Sequence, residues 1–573
     1  MDRLSAPIEQ IKKHYEIAVI GSGYGGAIAA SRLARAGREV VVFERGRELL
    51  PGEYPDDPVD MVGEVQVDCP EKHFGSRTAL FDFRLNEDMN VIVGCGLGGT
   101  SLINANVSLR PESRIFDDSH WPVAVREDAK NAMMDRFFGY AEEMLGATPY
   151  PDQYPRVPKL LALEKAAKFM KESFYRPLIN VTFREGVNNV GVLQHACVNC
   201  GDCVTGCNYG AKNTVLMNYL PDAKNHGAEI FTEMSLHYLE RQENQWRLHF
   251  VSTNSEIGIC DRYTITADLV IVAAGTLGST EILLRSREKG LCLSEALGRR
   301  FSGNGDMIGF TYNADEVING VGFGSRKPQG REPVGPCVTG IIDARNKPDL
   351  DEGKVIEEAS LPGAFALFLP KLLAAAAKLT GKESDLGVWD RMKKTAREIY
   401  SLLRGAHVGA MRNTQTYLVV AHDSSAGEMF LSDDRLRVSW PGAGKSALLS
   451  QSSERMSNAS EALSGTYVKN PIWNQWTNQE LISGHPLGGC IMAEDAKDGV
   501  VNHKGQVYSN TAGISVHDGL YVMDASIIPR SLGVNPLLTI SALAERSCHH
   551  LALDHGWAIE YERNPSRAGQ NSN

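Results

Sequence analysis

Tyr15-Glu16-Ile17-Ala18-Val19-Ile20-Gly21-Ser22-Gly23-Tyr24-Gly25-Gly26 decides the fold. The apolar run Tyr15–Ile20 stops at glycine and reads as a buried parallel strand. Residues 27–36, rich in alanine, read as a helix, and Glu39–Phe43 reads as the next strand, which completes a βαβ unit. The glycines between strand and helix follow G-x-G-x-x-G. Gly21 allows a tight turn, Gly23 lets a pyrophosphate reach the backbone, and Gly26 lets helix and strand pack closely. The helix N-terminus adds free N–H groups and a partial positive charge. Glu44, eighteen residues past Gly26, ends the second strand, where a carboxylate can bind ribose hydroxyls. The motif does not separate FAD from NAD; its place near the start of a long chain favours FAD.

Working outward, Gly94-Cys95-Gly96-Leu97-Gly98-Gly99-Thr100-Ser101-Leu102-Ile103-Asn104 is too glycine-rich for a regular helix or strand. It reads as a loop lying against a flat ring, with an irregular surface turn as the alternative. His237–Arg241 and Trp246–Val251 suggest a hairpin, and residues 267–273 a further buried strand before the turn at Ala274-Gly275. The stretch 360–405 is helical in pattern, and the last ~90 residues return to short strands and glycine turns.

The 573 residues carry 59 Lys plus Arg against 70 Asp plus Glu, a net charge of −11, with 43% hydrophobic and 23% charged residues. These values exclude wholesale disorder and argue against a nucleic-acid partner. The first fourteen residues have no apolar signal region, and Leu361–Leu379, the longest apolar stretch, is broken by Pro362, Pro370, Lys371 and Lys378. A cytoplasmic protein without a transmembrane segment is expected. The eleven cysteines read as thiols or ligands rather than disulfides.

Two C-terminal segments place a polar residue before proline: His485-Pro486-Leu487-Gly488-Gly489, and Gly533-Val534-Asn535-Pro536 downstream of Asp524-Ala525. Proline restricts the residue before it to extended geometry. Imidazole suits proton transfer near neutrality, and an amide can hydrogen-bond an alcohol oxygen without titrating. Alone, His485 reads as structural.

Together the motifs IGSGYGG…FERG, GCGLGGTSLINA, DLVIVAAGTLGSTEILLRS, SGHPLGGC and LYVMDASIIPRSLGVNPLLTISALAER resemble the glucose–methanol–choline (GMC) flavoprotein oxidoreductases, most closely the cholesterol-oxidase branch. The resemblance implies an α/β fold in which a discontinuous Rossmann-type FAD domain (1–115, 185–310 and 484–560) carries an inserted substrate lobe (116–184 and 311–483), followed by a polar tail (561–573). It implies non-covalent FAD held by Gly21, Gly23, Gly26 and Glu44. Gly94, Gly98, Gly99, Ser101 and Asn104 would lie along the flavin, with Ala274, Gly275, Asp524, Ala525, Asn535 and Pro536 completing the site. Ala525 departs from the Asp-Gly usual in the sterol branch. His485 and Asn535 would face the substrate carbinol. Aligned on Pro362, Val355-Ile356-Glu357-Glu358-Ala359-Ser360-Leu361-Pro362-Gly363 resembles the cholesterol-oxidase segment with an active-site glutamate, at Glu357; a solvated acidic pair is the alternative. The apolar segment after it reads as a core helix, or as a lid for a large apolar alcohol.

The expected reaction is oxidation of C–OH to a carbonyl, with O₂ or another acceptor taking the electrons. Lyase or decarboxylase chemistry on the same scaffold, and an electron-transfer subunit serving a partner, are the rival readings. The second rests on Cys197, Cys200, Cys203 and Cys207, whose C-x₂-C-x₂-C-x₃-C spacing is that of bacterial ferredoxins. Asn208 stands where ferredoxins have proline, and no second such run exists to share ligands. The sequence therefore favours a tight loop of small packed thiols without metal, with iron–sulfur ligation as the alternative.

Overall fold

The computed structural model describes residues 1–253, 262–382, 387–470, 473 and 480–561. Its first strand is His14–Ile20, buried at every position from Ile17 onward. Parallel neighbours Val40–Phe43 and Arg262–Val272 flank it, and Glu229–Phe231 and Val516–Val522 extend the parallel order on either side. Burial on both faces explains the unbroken Val/Ile/Ala runs. The strand Arg262–Val272 changes partner along its length. Its first half pairs antiparallel with Gln245–Ser252, itself hairpinned to Met234–Gln242, while Val270–Val272 pair with Leu520–Val522. The hairpin is the one expected from sequence, longer at both ends.

The helix Tyr24–Arg35 begins three residues earlier than the alanine run suggests. Its glycines are needed for packing, since a Cβ on Gly25 would sit 1.6 Å from the Met523 carbonyl oxygen. Arg32, buried on this helix, makes a two-pronged ion pair of 2.7 Å per arm with Glu545 of the long helix Leu537–Asp554, and Tyr219 also donates to Glu545. The N-terminal and C-terminal parts of the chain are thereby locked into one layer.

A second, six-stranded sheet runs in the order Thr466–Lys469, Met307–Tyr312, Gln415–Ala421, Lys354–Ala359, Ile341–Asp343, Ser173–Tyr175, with every pairing antiparallel. A smaller sheet includes Phe81–Arg84, Met89–Gly94 and Leu481–Ser483. Both large sheets contribute to one continuous apolar core. The region 360–405 is helical, as its pattern suggests, but the apolar segment 361–379 is only partly core. The region holds two helices, Leu369–Thr380 and Val388–Arg404, which leave Leu372, Leu379, Trp389 and Leu403 exposed while Leu373 and Ala374 are buried. The polar tail beyond Tyr561 lies outside the described residues.

Candidate active site

The carboxyl ends of the parallel strands form the crevice where ligands bind in open α/β sheets. Gly21, at φ +96°, turns the chain there; a Cβ would meet the Ala273 carbonyl oxygen at 2.4 Å. A Cβ on Gly26 would meet the Gly21 carbonyl oxygen at 2.0 Å, so both glycines are required by backbone approach. Gly23 differs: nothing lies within 4 Å of its Cβ position, and no side chain caps the helix that starts beside it. An open glycine at an uncapped helix N-terminus is a cradle for pyrophosphate. Glu44 is buried and accepts from Ser22 N and Oγ and from Gly46 N.

The glycine-rich loop is tied to this turn. Ser22 Oγ accepts from Gly98 N at 2.9 Å, Asn104 donates to the Tyr24 hydroxyl at 2.7 Å, and a Cβ on Gly99 would lie 3.0 Å from Gly23 Cα. Gly94 N donates to Thr100 Oγ1, and Ser101 Oγ donates to the Gly98 carbonyl. Residues 99–102 form a single 3₁₀ turn rather than a surface excursion.

Asp524 organises the opposite wall. Its carboxylate accepts from Gly275 N at 2.8 Å, Ser526 N at 2.8 Å, and the Ser279 and Ser526 hydroxyls. Burial raises its pKa, and those donors only partly offset the rise. It fixes the turn at Ala274-Gly275 and the 3₁₀ turn beginning at Ala525. Asn535-Pro536 leads into the helix Leu537–Asp554, whose N-terminus also lacks a side-chain cap. The Thr539 hydroxyl near that end is buried without a partner.

The structure brings His485, Asn535 and Glu357 together from three distant parts of the chain. Glu357 lies on the strand Lys354–Ala359, buried at every position. Successive strand residues point to opposite faces. Glu357 therefore faces Asn535, whose Nδ2 donates to it at 3.4 Å, while Glu358 faces away to a buried ion pair with Lys159 and bonds from Thr339 and Gly340. Neither acid is solvated, which removes the exposed-pair alternative. Glu357 Oε1 and Asn535 Oδ1 are buried without partners, two polar atoms aimed at something the protein does not supply. Burial pushes the Glu357 carboxyl up to about 7, against the pull of His485 and Asn535.

His485 is positioned by Asp306, which sequence reasoning missed. The His485 ring donates through Nδ1 to Asp306 Oδ1 at 2.7 Å. Asp306 Oδ2 accepts from Ser483 Oγ, Gly484 N and His485 N, so one carboxylate orders the whole segment. With Nδ1 occupied, Nε2 is the free ring nitrogen. Burial works against a charged imidazole, but Asp306 and then Glu357 outweigh it, and the His485 pKa is raised. Pro486 anchors this segment to the crevice, its carbonyl accepting from Thr276 Oγ1 at 2.7 Å. The Asn535 loop is set by Asn304, which donates to the Val534 carbonyl and accepts from Leu532 N, and by His422, whose ring packs where a Gly533 side chain would be.

The same architecture is found among known proteins. Models of the GMC oxidoreductase N- and C-terminal regions match residues 19–302 and 389–544. The chain belongs to the GMC oxidoreductase family. This GMC oxidoreductase is 26% identical to a cholesterol oxidase of Mycobacterium tuberculosis (strain ATCC 25618 / H37Rv), covering 94% of this chain and 91% of the relative. It is also 26% identical to a cholesterol oxidase of Acinetobacter baumannii (94% and 95% covered). A long-chain-alcohol oxidase of Arabidopsis thaliana is 24% identical, over 92% of this chain and 66% of the relative. Pyridoxine 4-oxidase from Mesorbium loti superposes with TM-score 0.58 at 16% identity (94% and 99% covered), and Aspergillus oryzae RIB40 formate oxidase with 0.60 at 13% (95% and 99% covered). The protein is a flavin-dependent oxidoreductase with an α/β FAD-binding fold and a second domain, and the open Gly23 cradle and free helix N-termini fit FAD. Among the described residues no helix is long and apolar enough to cross a membrane.

The four-cysteine segment lies beside the Gly94–Asn104 loop, to which Lys212 joins it by donating to the Leu102, Asn104 and Cys203 carbonyls. Cys197, Cys200, Cys203 and Cys207 all line one small pocket with Val181, Lys212 and Pro336. Every cysteine among the described residues is free of disulfide bonding.

Proposed function

We propose that the protein oxidises the C–OH of a large apolar alcohol, a sterol foremost, to a carbonyl. The observation that carries this reading is the meeting of buried Asn535 and Glu357, with two unpartnered oxygens, and partly buried His485 beside the dinucleotide crevice. Bound FAD supplies the hydride acceptor, at N5, for the carbinol hydrogen. It would be held by Gly21, Gly23, Gly26 and Glu44 on the dinucleotide side. Gly94, Gly98, Gly99, Ser101, Asn104, Ala274, Gly275, Ala525 and Pro536 would line it further along.

His485, its Nδ1 pinned by Asp306, presents Nε2 to take the hydroxyl proton. The Asn535 amide, whose second Nδ2–H is not used by Glu357, donates to the oxygen of the same hydroxyl and orients it. Glu357, with a pKa near 7, can hold or release a proton at neutral pH. On a Δ5-sterol it would move a proton between ring carbons in double-bond isomerisation. Cholesterol oxidases among the relatives support the sterol, and oxidases generally support O₂ as final acceptor.

Anaerobic mixing with a panel of sterols, long-chain and aryl alcohols and sugars tests the reading. Flavin bleaching by a sterol, with a ketone product, is expected. Bleaching by sugars alone would overturn the apolar substrate, and cleavage products in place of carbonyls would favour lyase chemistry.

A further inference from the structure

We propose that the outward faces of the helices Leu369–Thr380 and Val388–Arg404 form a docking surface for an anionic lipid bilayer. A surface helix ordinarily turns its apolar stripe to the core and its polar residues to water. Val388–Arg404 does the reverse. Trp389, Met392, Ala396, Ile399 and Leu403 recur at steps of three and four residues and so share one face. All five are exposed, Trp389 at 77% and Leu403 at 78%. The opposite face, which meets the rest of the protein, is polar. Lys394 and Ser401 are buried there. Asn313 donates to the Lys394 carbonyl at 2.9 Å, Arg397 donates to Asn313 Oδ1 at 2.8 Å, and Ser401 Oγ accepts from Met411 N. The preceding helix adds a second exposed stripe, Phe368, Leu372, Ala375 and Leu379, while its inner side at Leu369, Leu373 and Ala376 is buried. A Lys378–Glu398 ion pair of 3.2 Å ties the two helices together. Contiguous exposed apolar surface of this kind marks an interaction site.

Charge identifies what covers it. The two helices carry seven Lys or Arg against two Asp or Glu, in a chain whose net charge is −11. Lys371, Lys378, Arg391, Lys393 and Arg404 are exposed beside the stripes. An apolar, tryptophan-bearing stripe with a basic border lies in the headgroup layer of an anionic bilayer. A second copy of this chain would set one basic border against another, which like-charge repulsion opposes. The helices have 12 and 17 residues, and neither is apolar enough to cross a membrane, so they lie along its surface.

The position of the surface gives it a use. Ile308 and Glu357 both pair with Leu418, so Ile308 and, two residues on, Phe310 share the sheet face of Glu357. Phe310 belongs to the apolar cluster of Leu369 and Leu373, and Ile308 packs against that cluster. The helix Leu369–Thr380 therefore sits on the sheet face that carries Glu357, with its exposed stripe turned outward. A water-insoluble alcohol would leave the bilayer on the side of the molecule where the proposed site lies. That use rests on the apolar-alcohol reading; the docking itself does not.

The test is sedimentation of the full-length flavoprotein with phosphatidylcholine vesicles, with and without one-third phosphatidylglycerol, in the absence of any alcohol. Binding to the anionic vesicles is expected, weakened by salt and by omission of phosphatidylglycerol. The double variant Trp389→Ser/Leu403→Ser should bind about tenfold more weakly or worse. The triple variant Lys371→Gln/Lys393→Gln/Arg404→Gln, its stripes intact, should bind about 10²-fold more weakly, since each cation near an anionic surface strengthens binding about fivefold. Flavin content and thermal midpoint report that each variant is folded, and the triple variant decides if the double one is not. No sedimentation with anionic vesicles, equal sedimentation with both lipids, or unchanged binding by the folded variants would overturn the proposal. So would a vesicle-free dimer that the double variant dissociates, which would assign the stripes to a second copy. Because no substrate is present, failure here is distinct from failure of the alcohol reading, which flavin bleaching tests.

Discussion

Replacing Asp306 by Asn tests whether the His485 geometry is catalytic or only structural. Asp306 Oδ1 faces the His485 Nδ1–H, and Oδ2 faces three donors, Ser483 Oγ, Gly484 N and His485 N. An amide has one oxygen, and the three donors claim it. Its NH₂ then faces Nδ1, which must turn acceptor, so the proton moves to Nε2 and the free base is lost. The charge loss can be sized in two ways. A unit charge pair about 4 Å apart at an effective dielectric near 20 is worth about 4 kcal/mol. Exchanging a charge-assisted hydrogen bond for a neutral one costs about 1–2 kcal/mol. His485 and Asp306 keep 25% and 13% side-chain exposure, which draws the result toward the smaller figure. The His485 pKa, held up first by Asp306, should fall. Stopped-flow bleaching of FAD without oxygen, followed against pH, reads both effects. The limb set by His485 should move to lower pH, and the plateau should drop about 10²–10⁴-fold. An unchanged limb with an unchanged plateau would refute the positioning role.

Two further outcomes follow from the same geometry. Glu357 has its pKa raised by burial from 4.5 to about 7, so its contribution to stability is present below the unfolded value and lost as pH rises through the folded one. Relative to Glu357→Gln, the wild type should therefore lose about 2–3 kcal/mol between pH 4.5 and 7.5. Thermal midpoints of the two proteins across that range check it, and a pH-independent difference would contradict it. His485→Ala should slow flavin reduction about 10²–10⁴-fold and Asn535→Ala should slow it in the same direction, both with FAD retained by its visible absorbance; unchanged rates would remove the two residues from the chemistry.

The dinucleotide unit was legible because its signals are local. The strand, the turn at Gly21 and Glu44 fall within thirty residues or so of one another, each with its own chemistry. The start of the first helix was not. Gly25 and Gly26 argue against helix by propensity, and only the close backbone of Met523 and Gly21 shows why they are there. Asp306 was hidden by distance, lying 179 residues from the histidine it orients in a turn of small polar residues. Glu357 and Glu358 look alike in sequence. The alternation of a central strand sends one toward Asn535 and the other to Lys159, a distinction that needs strand register. The cysteine spacing was plain, but the shared pocket and the bonds from Lys212 to its rim belong to the folded chain.

The central claim is that a carbinol hydrogen leaves as hydride beside His485 and Asn535. The most direct measurement compares the anaerobic bleaching rate of bound FAD by a sterol alcohol and by the same alcohol deuterated at the carbinol carbon. The account predicts complete bleaching, a slower rate for the deuterated alcohol, and one ketone per flavin reduced. Bound FAD that stays oxidised with every alcohol tested would contradict it.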